Sequence, residues 1–321
     1  MEDSLLFFQK EESSKEKTYK ILFTGLDAAG KTSIILALQR EFSKIALLEP
    51  TRGALRNNFR FLGREISEWD LGGQKSYRIS YLKSPSKYFE DTEIAIYVID
   101  ILDNSRVLES LSYLYDVIEK FKELKITPPI NIFFHKYDPK IIKNISNLIE
   151  DEIQKLQKEI AETVNYRKIK FYRTSIYDPF SIMSAMSKIL LELIPKSELI
   201  QKTIEEYARK LDCEGLIIVD KNSIILGSIF KDDDSRKKLS STISYFLSLN
   251  DVFEDMELEK QEDQIILKKS GNYFMFKPIT TKETKLPYYL LALKKHNPFE
   301  TQFIGKDFNT FVNLFKDIVR G

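Results

Sequence analysis

The segment Gly25-Leu26-Asp27-Ala28-Ala29-Gly30-Lys31-Thr32 constrains this chain more than any other. It fits the pattern G-x-x-x-x-G-K-[ST] and lies between a predicted strand, Lys20–Thr24, and a predicted helix, Lys31–Phe42. The glycines let a backbone curl around a phosphate, while the loop N–H groups and the helix N-terminus supply positive potential. Gly25, Asp27, Ala28, Ala29, Gly30, Lys31, Thr32 and Ser33 therefore form the candidate phosphate site. Lys31 is placed to reach the β- and γ-phosphates, and the Thr32 hydroxyl to ligate Mg2+.

The residues that follow supply the rest of such a fold. Short apolar runs at Asn58–Phe61, Glu65–Asp70, Ile94–Asp100, Ile130–His135 and Lys170–Thr174 alternate with helical stretches at Val107–Leu124, Ile142–Val164 and Phe180–Leu193. Strands as continuously apolar as Ile94–Ile99, separated by helices, predict a doubly wound, mostly parallel α/β sheet covered on both faces. Beyond Pro195 the pattern changes. A helix (Glu198–Leu211), two strands (Gly215–Asp220, Ser223–Ile229) and a second helix (Ser235–Leu249) come first. Three strands (Gln264–Lys269, Tyr273–Pro278, Tyr288–Leu293) and a helix (Phe303–Val319) follow, which predicts an α+β unit on an antiparallel sheet. The expected divisions are a tail at 1–17, the α/β domain at 18–196 and the second domain at 197–321.

Composition excludes several alternatives. The formal charge is +1, from 49 Lys+Arg against 48 Asp+Glu, so no polycation for nucleic acid is present. The single cysteine, Cys213, cannot form an internal disulfide. No apolar run approaches the ~20 residues of a membrane span, and a cytoplasmic location is expected.

Further functional residues cluster around the predicted strand ends. Strand Glu65–Asp70 runs into Leu71-Gly72-Gly73-Gln74, where Asp70 can hold Mg2+ through water, the Gly73 N–H can sense a γ-phosphate, and Gln74 can orient an attacking water. Thr51, between this motif and the phosphate loop, offers a hydroxyl to the same metal. Lys31 and Gln74 are the catalytic candidates. On the base side, Asp138 can accept from guanine N1–H and N2–H2, a donor pair that adenine lacks. Lys136 packs along the base plane, His135 orients the loop, and backbone N–H groups at Ser175 and Ile176 can meet guanine O6. Asp27 receives no catalytic role, and Arg52 reads as a solvated loop arginine.

Together these motifs resemble the Ras-superfamily GTPases over nearly all of residues 18–195. Gly25–Thr32 and Trp69-Asp70-Leu71-Gly72-Gly73-Gln74 look like the Arf branch. Phe61-Leu62-Gly63, His135-Lys136-x-Asp138, Thr174–Asp178 and Leu193-Ile194-Pro195 resemble the Rag (Gtr) branch. The resemblance implies a GTP/GDP switch that uses Mg2+, hydrolyses GTP slowly unaided, and answers to activating, exchange and effector proteins. It also implies a C-terminal roadblock (longin-like) domain that forms a homodimer, or a heterodimer with a paralogous GTPase. Glu2 replaces the glycine that Arf proteins myristoylate, so no direct membrane anchor is expected. The alternatives are a scaffold that holds nucleotide without cycling and an ATP-dependent enzyme, the latter opposed by Asp138 and Ser175.

Overall fold

The computed structural model describes residues 17–194, 197–256, 264–279, 288–295, 299 and 301–320. Leu5–Phe8, Pro195 and His296 lie outside these described residues. In the first unit the strands are β1 (Thr18–Gly25), β2 (Ala54–Phe61), β3 (Arg64–Leu71), β4 (Thr92–Asp100), β5 (Ile130–His135) and β6 (Ile169–Thr174). Its helices are α1 (Lys31–Leu38), α2 (Phe42–Ile45), α3 (Lys75–Lys83), α4 (Pro85–Tyr88), α5 (Val107–Glu123), α6 (Pro139–Thr163) and α7 (Pro179–Leu191). The second unit contains α8 (Ser197–Leu211), β7 (Gly215–Asp220), β8 (Ile225–Phe230), α9 (Asp233–Ser240) and α10 (Ile243–Asp255). It continues through β9 (Ile265–Lys269), β10 (Asn272–Pro278), β11 (Tyr288–Lys295) and α11 (Thr301–Arg320).

The first sheet has the order β2-β3-β1-β4-β5-β6, parallel throughout except for the antiparallel β2–β3 pair. Its central strands β1, β4 and β5 are almost continuously apolar because both faces are covered there, whereas β2 and β6 at the two edges are polar and partly exposed. Leu22, Tyr97, Ile99, Ile132 and Phe134 face a core with Leu114, Ile118 and Phe121 of α5 and Ile153, Leu156 and Ile160 of α6. Ile21, Phe23, Ile96, Val98 and Phe133 face the other way, toward Ile34 of α1 and Met186, Ile189 and Leu190 of α7. The parallel strands bring the ends of β1, β3, β4, β5 and β6 to one edge of the sheet.

The second unit is an α+β domain on the antiparallel sheet β8-β7-β11-β10-β9. Successive residues of β11 divide its two faces. Tyr288 meets Phe315 of α11 edge-on at 5.4 Å, whereas Tyr289 stacks with Phe276 at 5.0 Å and Phe276 with Phe246 of α10 at 5.5 Å. α8 joins α11 on the first face, where Tyr207 stacks on Phe311 at 4.6 Å.

Local boundaries depart from expectation where tertiary contacts intervene. The helix predicted to reach Phe42 stops at Leu38, because Arg40 takes a left-handed conformation (φ 61). Its guanidinium then reaches the second unit, with Asp251 at 2.9 Å and the Lys221 carbonyl at 3.2 Å. The helix predicted over Ser235–Leu249 divides into α9 and α10, and Asp232 caps α9 by accepting from the Ser235 N–H at 2.7 Å. α3 and α4 carry too little apolar periodicity to have been predicted.

The seam between the units is closed by apolar and polar contacts. One apolar cluster runs without a break from Ile34 and Met186 to Ile204, Leu216 and Ile218. At the outer edge of β8, the Ile225 N–H donates to Ser187 Oγ of α7 at 2.6 Å. Within the second unit, Gln201 of α8 covers the same strand edge: its amide takes the Ser228 N–H at 3.3 Å and donates to the Ser228 carbonyl at 3.1 Å. Removing the buried Ser187 hydroxyl leaves the Ile225 N–H without an acceptor, at a cost of about 1–3 kcal/mol. Ser187→Ala should therefore lower the urea midpoint, and an unchanged midpoint would assign the seam to apolar contact alone.

Candidate functional site

Two close approaches at the phosphate loop leave no room for a side chain at Gly30 or Gly73. Gly30 has φ 98, and a Cβ on it would stand 2.5 Å from the His135 ring. A Cβ on Gly73 would stand 2.1 Å from the Asp27 nitrogen. The loop is thus gripped between the end of β5 and the turn after β3, with its N–H groups left to face a ligand. Ser33 follows in the first turn of α1.

Lys31 is only 5% exposed, and its ammonium donates to the carbonyls of Leu26 at 2.7 Å and Gly25 at 3.2 Å. Burial lowers its pKa to about 8, against the pull of Asp70 and Asp27. Beside it three oxygen groups converge. Thr32 Oγ1 lies 2.7 Å from Thr51 Oγ1 and donates to Asp70 Oδ2 at 2.5 Å, and Thr51 Oγ1 stands 3.3 Å from the same oxygen. Thr51 comes from the loop before β2, so its arrival at Thr32 and Asp70 is a long-range contact. The Gly72 N–H to Gly53 carbonyl bond at 2.8 Å and the Tyr81 hydroxyl on that carbonyl at 2.8 Å hold it there.

Asp70 is 4% exposed; burial raises its pKa, and the Thr32, Lys31 and Thr51 contacts oppose the rise. Its Oδ1 is buried with no hydrogen-bond partner among the described residues. An orphaned carboxylate oxygen beside two hydroxyls is a donor set that fits a hard divalent cation such as Mg2+. Gln74 stands at the N-terminus of α3, and its Oε1 is likewise buried without a partner.

The base-side residues gather at the ends of β5 and β6. His135 is 2% exposed, pairs its Nδ1 with Thr174 Oγ1 at 2.9 Å, and packs behind Gly30. Burial, with Lys136 nearby, lowers its pKa to about 3, so the ring stays neutral. Lys136 is left-handed (φ 62) and its ammonium meets Asp100 Oδ2 at 2.6 Å. Asp138 begins α6 and accepts from Ser175 Oγ at 2.5 Å, and Ser175 Oγ accepts from the Tyr177 N–H at 3.0 Å. Ile176 is half-buried in that turn. Arg52 is exposed, 3.9 Å from Glu49.

Two groups of consequence had no local signal in the sequence. Arg106, distant in the chain, binds Asp27 of the phosphate loop. Glu68, on the same face of β3 as Asp70, is 6% exposed. Burial, and secondarily Asp70, raises its pKa to about 7 from the ordinary 4.5. The folded chain therefore holds this proton at pH values where the unfolded chain has released it. Glu68 accordingly costs stability as pH rises from about 4.5 through about 7. Glu68→Gln should remove that slope, matching the parent near pH 4.5 and exceeding it by roughly 2–3 kcal/mol at pH 8. Denaturation midpoints at the two pH values check this, and a variant less stable than the parent at pH 8 would refute it.

Comparison with known proteins agrees with this geometry. The model of the Gtr1/RagA G protein conserved region matches residues 20–252. ADP-ribosylation factor-like protein 3 of Chlamydomonas reinhardtii is 39% identical over 125 residues, which are 39% of this chain and 66% of that protein, just under two-thirds of its length. ADP-ribosylation factor-like protein alp41 of Schizosaccharomyces pombe is 31% identical over 178 residues, 56% of this chain and 83% of that protein. Among solved structures, the Arl6 BBS3 small GTPase of Trypanosoma brucei with the bound nucleotide analogue GppNp is 16% identical. It covers 54% of this chain and 96% of its own, with a TM-score of 0.38. The family match runs from β1 through both halves of the site and on into α10. The chain belongs to the Gtr1/RagA family of G proteins, related to the Arf-like GTPases, and that membership implies GTP hydrolysis.

Proposed function

We propose that the protein is a GTP/GDP-dependent switch of the Rag/Arf type, with Mg2+ as cofactor, slow unaided hydrolysis and a dimerising second domain. The observation that carries this reading is the meeting of Thr32, Thr51 and Asp70 beside Lys31, with Asp70 Oδ1 unpaired. Thr32 and Thr51 would hold Mg2+ directly and Asp70 through water; when bound, the ion neutralises phosphate charge. Because Thr51 reaches this point from a separate loop, its position can report whether a γ-phosphate is present.

In this reading the phosphate-loop N–H groups and Lys31 hold the β- and γ-phosphates, and the Gly73 N–H meets the γ-phosphate. Gln74 orients the water for in-line attack, with its unpaired Oε1 available to accept from that water. Asp138 reads guanine N1–H and N2–H2, held in place by Ser175, while the Lys136 stem lies along the base. Ser175 and Ile176 offer backbone N–H groups to O6, and neutral His135 fixes the base loop against the phosphate loop. Gln74→Leu should retain guanine-nucleotide affinity within about threefold and slow single-turnover hydrolysis by at least about tenfold. Equal rates for parent and variant would remove Gln74 from the mechanism and favour a scaffold that does not cycle.

The second domain supports a dimerising role through the asymmetry of its sheet. The β8 edge is sealed by Ser187 and Gln201, whereas the β9 edge leaves Ile266 and Leu267 at 43% and 40% exposure. An open apolar edge is a template for another strand. α10 adds exposed Tyr245, Val252 and Phe253. A longin-like or roadblock character fits helices on both faces of a five-stranded antiparallel sheet. The partner would be a second copy or a paralogous GTPase, with regulators and effectors meeting the assembled pair. Light scattering on the full chain, alone and with a candidate paralogue, tests this. Ile266→Lys with Leu267→Lys should convert the dimer to monomer, and a dimer that survives both changes would overturn the β9 assignment.

A further inference from the structure

Asp27 places a carboxylate inside a loop built to hold anions. Its location within the loop is specific: Gly73, the residue read above as the γ-phosphate contact, lies directly against Leu26 and Asp27. A carboxylate free to turn inward at that point would meet the third phosphate before the other two. Like charges a few ångströms apart in a partly buried site repel strongly.

The structure shows what restrains it. Arg106, at the end of the 3-10 turn Asn104–Arg106 after β4, donates Nη2 to Asp27 Oδ1 at 2.5 Å and Nη1 to the Asp27 carbonyl at 3.4 Å. The guanidinium is itself anchored, since its Nε meets Glu109 Oε2 at 3.3 Å. Glu109 Oε1 accepts from Arg78, which is 8% exposed and donates Nε to the Gly73 carbonyl at 2.8 Å. The contacts therefore form a closed ring, Asp27–Arg106–Glu109–Arg78–Gly73, and Gly73 returns to Asp27 by backbone packing. The ring contains two cations and two anions, so the Asp27 charge is balanced by a side chain delivered from another element.

We propose that Arg106 is a positioning residue for nucleotide discrimination: it pins the Asp27 carboxylate out of the γ-phosphate position and thereby preserves affinity for the triphosphate over the diphosphate. The proposal rests on the guanine-nucleotide reading above and adds to it a residue outside the binding set named there. Loss of the guanidinium frees Asp27, whose charge then opposes the γ-phosphate and leaves a diphosphate largely unaffected.

The test measures equilibrium affinities of the full chain for GDP and for a non-hydrolysable GTP analogue, both with Mg2+. Arg106→Gln should weaken analogue binding by about tenfold relative to GDP. Adding Asp27→Asn to that variant should return the affinity ratio to within about twofold of the parent. Arg106→Lys keeps a cation in place and should hold the ratio within about threefold of the parent, which serves if the Gln variant does not fold. Equal losses for both nucleotides, a loss that Asp27→Asn does not repair, or a tenfold fall in Arg106→Lys would each overturn the proposal. A parent chain that binds neither guanine nucleotide would instead overturn the underlying switch reading.

Discussion

A Cβ at Gly73 would fall 2.1 Å from the Asp27 nitrogen, and one at Gly30 would fall 2.5 Å from the His135 ring. These two approaches fix the phosphate loop from opposite sides, and the rest of the site is referred to them. His135 belongs to β5 and pairs with Thr174 of β6, so the loops after these two strands are set in register with the loop between β1 and α1. Gly73 belongs to the turn after β3, between Asp70 at the end of that strand and Gln74 at the start of α3. Neither approach survives a side chain at the glycine, whatever the chemistry of that side chain.

The same logic of close approach governs how the second unit is joined. Ser187 of α7 accepts from the Ile225 N–H at the outer edge of β8, and one apolar cluster continues from one sheet to the other. Two further contacts fall on the segments that flank Thr51. Arg40, at the end of α1, bonds to Asp251 and to the Lys221 carbonyl, and Asn222 Nδ2 donates to the Arg60 carbonyl of β2 at 3.4 Å. The hairpin between β7 and β8 therefore touches both sides of the loop that delivers Thr51.

How much of this was legible in the sequence depended on the range of the interaction. The phosphate loop could be read because its requirements fall within eight consecutive residues. The order of strands and helices could be read because burial on both faces of a parallel sheet leaves continuous apolar runs. The end of α1 could not: Lys31–Phe42 is unbroken helical pattern, and it is Arg40's turn toward Asp251 that stops it. Arg106 was hidden for the same reason, since its partner is 79 residues away and an arginine near a helix start has many ordinary uses. Glu68 was hidden by its type, because a glutamate in a half-buried strand is normally expected on the solvent face.

Burial sets the electrostatics of the centre. Lys31 has been taken out of water with two carbonyls as its hydrogen-bond acceptors, and burial accordingly lowers its pKa to about 8. Asp70 has been taken out of water beside two hydroxyls, with one oxygen unpaired, and burial raises its pKa. Each group is therefore pushed toward its neutral form by the site that holds it. A phosphate beside Lys31 and a divalent ion near Asp70 would reverse both shifts together, returning each group to the charged form suited to its role. On the switch reading proposed above, this desolvation favours a ligand that brings both charges at once, a nucleotide polyphosphate with its metal.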